Sequence, residues 1–251
     1  MREPKIVVWD IETTPILAYS WDLYPEKISH DSIVQDWSII CGCWKIVGKD
    51  KVHSVAVKEV GNDLEVVMTL RSVLVDADIL VHHNGNRFDL KKFNARLIYH
   101  GLEPLPKIPT VDTLVEVKKV AAFSSNRLDY LSKFLIGKGK IHVEYSLWLD
   151  VMRGSKKAVK TMVAYNKVDV LRDEELYLKL RPYMKNHPHI GVMQDKDRCS
   201  CNKCGSTKMK KNGIRVTASG IKKQEMQCQG CGSYSSFAIT AVQGKKVQRG
   251  K

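Results

Sequence analysis

Four acidic residues and one tyrosine occur in an order that is suited to a metal site. Asp10 and Glu12 follow an apolar run, Asp89 follows a second one, and Asp169 lies on a predicted helix with Tyr165 one turn before it. If folding gathers these carboxylates, bound cations must offset their repulsion, and carboxylate oxygens favour Mg²⁺ or Mn²⁺. Because paired ions of this kind assist phosphodiester cleavage, the pattern favours that chemistry.

Each acidic position also has a purely structural explanation. Asp10 and Glu12 lie two residues apart and would share one face of a strand, but acidic strand ends are common. Asp89 follows a turn and would be stabilised by the dipole of the helix that it begins. Asp169 falls into the apolar stripe of its helix, so it needs a basic partner or a metal ion unless it reaches water. The joint pattern, more than any single position, carries the metal-site hypothesis.

The hydrophobic periodicity predicts the elements that would position these residues. Strands are expected at residues 5–11, 38–47, 52–60, 79–83 and 108–111. Helices are expected at residues 64–75, 88–99, 113–120, 128–135 and 156–180, the last one ending because Pro182 follows. The second and third strands should be antiparallel neighbours, joined through the turn at residues 48–50. The order of elements predicts an α/β fold, in which a mixed β-sheet is flanked by helices.

Four cysteines form two matching Cys-x-x-Cys-Gly units, Cys201 with Cys204 and Cys228 with Cys231. This spacing lets four thiolates bind one tetrahedral Zn²⁺, and the ion would then be structural because no coordination position stays open. A redox dithiol would explain one unit but not a repeated pair. Cys199 is an alternative to Cys201, although the symmetry of the units favours Cys201.

The positive charge is concentrated towards the end of the sequence. The chain has a formal net charge of +14, and residues 196–251 contain thirteen Lys or Arg against two Asp or Glu. A basic block of this kind favours nucleic acid as the partner, although a solvated tail, a stabilising cap or a protein-binding surface are alternatives. The candidate phosphate contacts are Lys208, Lys210, Lys211, Arg215, Lys222 and Lys223.

The composition predicts two domains joined by a linker. We expect a catalytic domain at residues 1–185, a linker at 186–198 and a zinc module with a basic tail at 199–251. The sequence shows neither a signal peptide nor a membrane-spanning apolar run, so we expect a cytoplasmic protein without membrane association.

Three sequence motifs together resemble the exonuclease motifs of the DEDD superfamily, over roughly residues 5–182. They are Asp10-Ile11-Glu12, Asn84 to Phe88-Asp89, and Tyr165 to Asp169. A second subclass has His five residues before the final Asp, where this chain has Ala164. The chain therefore resembles the tyrosine subclass, which includes RNase D and the proofreading domains of family-A and family-B DNA polymerases, and it is most similar to the family-B type.

The resemblance implies an RNase H-like fold and a 3′-to-5′ exonuclease that acts on single-stranded DNA with two Mg²⁺ or Mn²⁺ ions. Asp10, Glu12 and Asp169 would hold the ion that carries the attacking water, and Asp10 with Asp89 would hold the other. Tyr165 would orient the water. The cysteine module is similar to zinc ribbons of insertion-sequence transposases. RNA as the substrate, or a non-catalytic nucleic-acid-binding adaptor, are the alternative functions.

Other residues near the motifs have two interpretations each. The resemblance assigns Asn84 and Phe88 to the terminal nucleotide, but Phe88 would equally anchor its helix in the core. Asp112 would assist the site or cap a helix. The aromatic segment 19–24 is more readily explained by core packing than by stacking on unpaired bases.

Overall fold

The structure, a computed structural model, describes residues 3–25, 27–239 and 242. The strands are β1 (Ile6–Thr13), β2 (Leu17–Ala18), β3 (Ile33–Gln35), β4 (Ile39–Ile46), β5 (Val52–Ala56), β6 (Ile79–His82), β7 (Thr110–Asp112), β8 (Met209–Val216), β9 (Lys222–Cys228) and β10 (Tyr234–Ala238). The helices are α1 (Leu64–Leu74), α2 (Asp89–Tyr99), α3 (Thr113–Val120), α4 (Leu128–Ile136), α5 (Ser146–Met152), α6 (Lys156–Leu180) and α7 (Ile190–Met193). Within these ranges, no helix is long and apolar enough to cross a bilayer.

Five strands form the main sheet, in the order β5-β4-β1-β6-β7. β4 runs antiparallel to β1 and β5, whereas β6 runs parallel to β1 and β7. This confirms the predicted mixed sheet and the antiparallel arrangement of β1, β4 and β5. A three-stranded sheet, β10-β9-β8, and the short β2-β3 hairpin are separate from it.

The residues group into two compact units. Residues 5–115 and 123–176 form one unit, and the described parts of 1–4, 116–122 and 177–251 form the other. The first unit contains the main sheet, and the second contains the three-stranded sheet. Within the second unit, α7 lies inside the stretch 186–198 and Ile190 is buried. The predicted boundaries at 185 and 199 stay a prediction.

The core of the first unit determines which way β1 presents its side chains. Val7, Trp9 and Ile11 belong to one buried apolar cluster, and Trp9 meets the ring of Phe93 at 5.8 Å in a T-shaped contact. Because side chains alternate along a strand, Asp10 and Glu12 project to the other face. The apolar packing thus fixes the direction of two candidate metal ligands.

Most predicted elements are present, with shifted ends. β1 continues to Thr13, so Glu12 lies within the strand, and β5 ends at Ala56 because the chain turns before Gly61, which has a positive φ of 93°. Helix α6 has the predicted bounds and ends ahead of Pro182. The sequence patterns did not predict α5 or the β2-β3 hairpin, which are short and have little periodicity.

A buried ion pair joins Asp63, at the start of α1, to Arg96 on α2. Asp63 is fully buried, and its carboxylate accepts hydrogen bonds from Arg96 Nη2 at 2.6 Å, His100 Nε2 at 2.7 Å and the backbone N–H of Ile39 at 2.8 Å. Burial alone would raise the pKa of Asp63, but the hydrogen bonds from Arg96, Ile39 and His100 outweigh it and lower that pKa.

We expect Asp63→Asn to reduce the free energy of unfolding by about 3–5 kcal/mol, because Arg96 would then be buried without its anion. Since the folded pKa of Asp63 lies below the unfolded value, this contribution is present at neutral pH and is lost as the pH falls through the folded pKa. Chemical denaturation at neutral and acidic pH measures both effects.

The control is Glu103→Gln. The Glu103 carboxylate pairs with Arg71 but is 86% exposed, so we expect this substitution to reduce the free energy of unfolding by less than about 1 kcal/mol. Equal losses in both variants would contradict the argument.

Candidate active site and cysteine cluster

Three of the predicted carboxylates converge in the first unit. Asp10 and Glu12 from β1 and Asp169 from α6 each offer an oxygen atom, and these atoms all lie within 4.8 Å of one another. Asp10 and Glu12 are only half-buried, so the cluster opens to solvent. Asp10 and Glu12 are more than 150 positions from Asp169 in sequence. They meet because β1 lies inside the main sheet and α6 brings Asp169 to the same place.

The carboxylates disfavour one another's ionisation. Burial raises the pKa of Asp10 well above its usual value, and the charges of Asp89, Glu12 and Asp169 raise it further. Burial and the neighbouring Asp169 raise the pKa of Glu12 to about 8. Burial also raises the pKa of Asp169. A divalent cation would offset this repulsion, so the cluster is suited to bind one.

Two side chains that the sequence patterns did not single out contact the cluster. Lys140 Nζ lies 2.5 Å from Asp169 Oδ2, and Asn166 Nδ2 donates a hydrogen bond of 2.5 Å to Asp10 Oδ2. Asp169 Oδ1 accepts no hydrogen bond from the described residues. Asn166 could have been identified from its position on α6, three residues before Asp169, whereas Lys140 lies in an irregular loop with no pattern.

The loop that carries Lys140 is held on both sides. The backbone N–H of Lys140 donates to Asp129 on α4 at 3.0 Å, and Arg172 Nε on α6 donates to the carbonyl of Gly139 at 3.1 Å. Burial would lower the pKa of Lys140, but the charge of Asp169 outweighs this and raises it. Lys140 is therefore a permanent cation beside one candidate metal ligand.

Tyr165 lies one turn before Asp169 and beside the same lysine. The Lys140 ammonium is 4.9 Å from the centre of its ring, and Trp148 packs against that ring edge-on at 6.5 Å. Burial and the charge of Asp169 raise the pKa of Tyr165 to about 12. The hydroxyl thus stays protonated near neutral pH, which suits a hydrogen-bond donor and not a general base.

Asp89 lies outside the group of three mutually close carboxylates. It is buried at the start of α2, and its Oδ1 accepts a hydrogen bond of 3.2 Å from the backbone N–H of Ile11, between Asp10 and Glu12. Burial raises its pKa to about 7. Its charge also raises the pKa of Asp10, so the two carboxylates interact.

The turn before Asp89 is shaped by Asp112. Asn84 has a positive φ of 68°, and its backbone N–H and that of Asn86 donate to the Asp112 carboxylate at 2.9 and 3.1 Å. Asp112 also accepts from the N–H groups of Leu114 and Val115 at the start of α3. The capping interpretation of Asp112 is therefore correct.

Phe88 and two neighbouring histidines complete this region. Phe88 is 39% exposed, so it is not the buried anchor that one interpretation expected. His82 and His83 are both held by hydrogen bonds, His82 to Asn86 and His83 to Thr113. Burial lowers the pKa of both imidazoles, that of His83 to about 4.

The aromatic segment 19–24 does not pack in the core, which corrects the interpretation favoured from sequence. Tyr19, Trp21, Leu23 and Tyr24 are all exposed. The segment lies in the long connection between β2 and β3, which form a short hairpin outside the main sheet.

The second unit brings the four predicted cysteines together. The sulfur atoms of Cys201, Cys204, Cys228 and Cys231 all lie within 4.8 Å of one another, with 3.7 Å between Cys201 and Cys231 and 3.6 Å between Cys204 and Cys228. Cys199 is not in this group. A tetrahedron with Zn–S bonds of about 2.3 Å has edges of about 3.8 Å, so the sulfurs match the coordination geometry of Zn²⁺.

Hydrogen-bond donors favour the thiolate form of Cys201, whereas burial raises the pKa of Cys204 and of Cys231. The hydroxyl of Ser233 lies 3.3 Å from Cys201 Sγ and 3.1 Å from Cys231 Sγ, and the N–H of Lys203 donates to Cys201 Sγ at 3.4 Å. Burial would raise the pKa of Cys201, but these hydrogen bonds lower it to about 7. The donor set therefore fits a metal that binds thiolate.

The six basic residues proposed as phosphate contacts all lie on or next to the small sheet of the second unit. Five of them are exposed and Lys223 is half-buried. Arg215 differs from the lysines because its guanidinium is paired with the Glu225 carboxylate, with two N–O distances of 3.1 Å.

Comparisons with known proteins agree with this fold. Residues 35–181, more than half of the chain, match the RNase H superfamily. The chain is 29% identical over 158 residues to the PolC-type DNA polymerase III of Ureaplasma parvum serovar 3. The aligned segment covers 56% of this chain but only 10% of that polymerase. Among solved structures, the family B DNA polymerase from the archaeon Pyrobaculum calidifontis superposes with a TM-score of 0.56 and 15% identity, over 71% of this chain and 25% of that one.

The likeness to the solved polymerase structure, at 15% identity, concerns the fold alone. The match to the RNase H superfamily covers β4 to α6 and includes Asp89, Tyr165 and Asp169. Asp10 and Glu12 precede the matched residues, and the geometry of the sheet is what joins them to Asp169. The chain belongs to the RNase H superfamily.

Proposed function

We propose that this protein is a metal-dependent 3′-to-5′ exonuclease of the tyrosine subclass of the DEDD superfamily, with single-stranded DNA as its favoured substrate. The observation that carries the proposal is the convergence of Asp10, Glu12 and Asp169 within 4.8 Å beside a protonated tyrosine. A structural role does not require three mutually repelling carboxylates at an opening to solvent, and they reduce stability when no cation is bound.

The residues present are suited to hold Mg²⁺ or Mn²⁺. Asp10, Glu12 and Asp169 would bind one ion, and Asp10 with Asp89 would bind a second. When bound, such ions supply an activated water and neutralise charge on the phosphodiester. Asn166 keeps the Asp10 carboxylate in one orientation through its hydrogen bond. The Tyr165 hydroxyl, which stays protonated, would donate a hydrogen bond to the water or the phosphate and so orient it.

The cysteine cluster is proposed to be a structural zinc ribbon. The second unit contributes little apolar core around β8 to β10, where the buried apolar side chains are Met226 and Cys228. A metal ion would therefore supply much of the folding free energy of this module. With four thiolate ligands, the site leaves no open position for catalysis.

The direction and mode of cleavage can be tested with labelled oligonucleotides in Mn²⁺. A single-stranded DNA labelled at its 5′ end should give a ladder that shortens one nucleotide at a time, and the same DNA labelled at its 3′ end should release labelled mononucleotide first. A terminal 3′ phosphorothioate linkage should delay both. A matched RNA strand, run in parallel, identifies the preferred sugar.

Two outcomes would contradict the proposal. Internal fragments that appear before shortened ends would indicate an endonuclease. If neither strand is cleaved by zinc-loaded protein that binds it, the alternative of a non-catalytic adaptor would be favoured.

A further inference from the structure

The three-stranded sheet of the second unit has two unlike faces. In its register Lys210 lies opposite Gln227, Arg215 lies opposite Lys223, and Tyr234 lies opposite Gln227. Residues directly opposite each other in an antiparallel ladder project to the same face. These five residues therefore share one side of the sheet, which we call the basic face.

A bulge makes this arrangement possible. Lys210 and Arg215 are five residues apart and would project to opposite sides of a regular strand. The register of β8 shifts between Lys211 and Ile214, and this shift brings both cations to one side. Glu225, which pairs with Arg215 and accepts a hydrogen bond of 2.7 Å from Asn212, confirms that these residues lie together.

The opposite face is partly covered. Met226 and Cys228 project there and are buried, and Ser235 Oγ donates to Asn202 Oδ1 at 3.1 Å, which fixes the first cysteine loop against that side. Lys211 lies opposite Met226 and Lys222 lies opposite Val216, so both lysines belong to this second face. Five of the six basic residues are thus divided between two surfaces of different character.

The basic face combines cations with an exposed aromatic ring. Tyr234 is 51% exposed. Glu225 is neutralised by Arg215, and no ion pair within the described part of the chain involves Lys210 or Lys223. A sheet that presents unpaired lysine side chains on the same face as an exposed ring offers phosphate contacts and a stacking surface together.

We propose that the basic face binds single-stranded nucleic acid, with one base stacked on Tyr234 and with phosphates contacting Lys210 and Lys223. Stacking on Tyr234 needs a base that is free of its complement, and so the face should prefer a single strand to a duplex. The inference concerns binding by the second unit and holds whether or not the first unit is an exonuclease.

The test uses the whole zinc-loaded chain of 251 residues with the additional substitution Asp10→Asn, so that no substrate is degraded. Binding of a fluorescent oligothymidylate is measured by anisotropy over a series of salt concentrations. Lys210→Ala with Lys223→Ala should weaken binding and reduce the salt slope by about 1.4, that is, about 0.7 for each phosphate contact with a single strand. The matched control is Lys211→Ala with Lys222→Ala, which removes the same charge from the other face and should leave the slope unchanged.

The stacking contact is tested separately. Tyr234→Ala should weaken binding by about 5- to 150-fold, as expected for the loss of one base–aromatic stack, without altering the salt slope. Tyr234→Phe keeps the ring and should bind as the parent does. Zinc content, measured for every variant, distinguishes a lost contact from a lost fold, and Tyr234→Phe provides the comparison if Tyr234→Ala does not retain zinc.

Three results would overturn the inference. Equal losses in the two lysine pairs would show that only total charge matters. Equal affinity for a duplex of the same sequence would exclude stacking. Displacement of the oligonucleotide by polyglutamate as efficiently as by unlabelled oligothymidylate would identify the face as a site for acidic protein segments.

Discussion

Asp10→Asn should abolish metal-dependent cleavage and also make the metal-free protein harder to unfold. The substitution keeps the size of the side chain but removes one of the converging charges that hold the proposed ions. Loss of a metal ligand removes several kcal/mol of transition-state stabilisation, so we expect a rate decrease on the order of a thousandfold or more. Binding of DNA should persist, because the basic residues of the second unit are unaltered.

The gain in stability has a defined pH dependence. Folding raises the pKa of Glu12 from 4.5 to about 8, and it raises the pKa of Asp10 as well. Between the unfolded and folded values the native state binds more protons than the unfolded state, so the stability of the metal-free protein falls as the pH rises through this window. Asp10→Asn removes part of that loss, and its advantage over the parent should grow between about pH 5 and pH 8.

Thermal unfolding in metal-depleted buffer that leaves zinc in place measures this effect, and added Mn²⁺ should stabilise the parent but not the variant. Each kcal/mol corresponds to about 2–4 °C in Tm for a domain of this size. The control is Asp22→Asn, an exposed carboxylate outside the cluster, for which we expect neither change. Cleavage at the parental rate by Asp10→Asn, or an unaltered Tm without metal, would contradict the assignment of the site.

Removal of zinc should unfold the cysteine module. We expect Cys204→Ser to abolish stoichiometric zinc binding, because three thiolates and a hydroxyl do not replace the four sulfurs that lie within 4.8 Å. Structural zinc sites contribute apparent binding free energies of about 10–16 kcal/mol, far more than the small core around Met226 supplies. Residues 199–239 should then become susceptible to protease.

Zinc content by a chromogenic chelator and the pattern of limited proteolysis measure this outcome. Cys199→Ser is the matched control, since it removes a thiol that lies outside the cluster and should leave zinc content intact. The Mn²⁺-dependent stabilisation of the carboxylate site should persist in Cys204→Ser, because its ligands belong to the other compact unit. Retention of a full equivalent of zinc by Cys204→Ser would contradict the ligand assignment.

Local sequence patterns were sufficient for the parts of the fold that depend on short-range geometry. Alternation along β1 predicted that Asp10 and Glu12 would share a face, and the helical stripe of α6 predicted that Tyr165 and Asp169 would share another. The cysteine pairs were equally readable, because the Cys-x-x-Cys spacing itself brings two sulfurs near one ion. Each of these inferences needs no knowledge of distant contacts.

The features that sequence did not reveal depend on tertiary structure. Lys140 reaches Asp169 only because Asp129 and Arg172 hold its loop, and neither contact follows from a periodic pattern. The segment 19–24 has the composition of a packed element, but its position beyond a two-residue strand leaves it in solvent. The bulge in β8 reverses the alternation after Lys211, so the sequence alone would assign Arg215 to the wrong face.

The ammonium group of Lys140 gives the site a built-in competitor for added cations. It already occupies the vicinity of Asp169 Oδ2, so an incoming ion must displace it or share that oxygen with it. The concentration of metal at which such a centre fills is then governed partly by how firmly a surface loop holds its lysine. A chain with the same four acidic residues but another residue at position 140 would therefore need a different concentration of manganese or magnesium to fill the site. This difference would arise even though all of the metal ligands were the same.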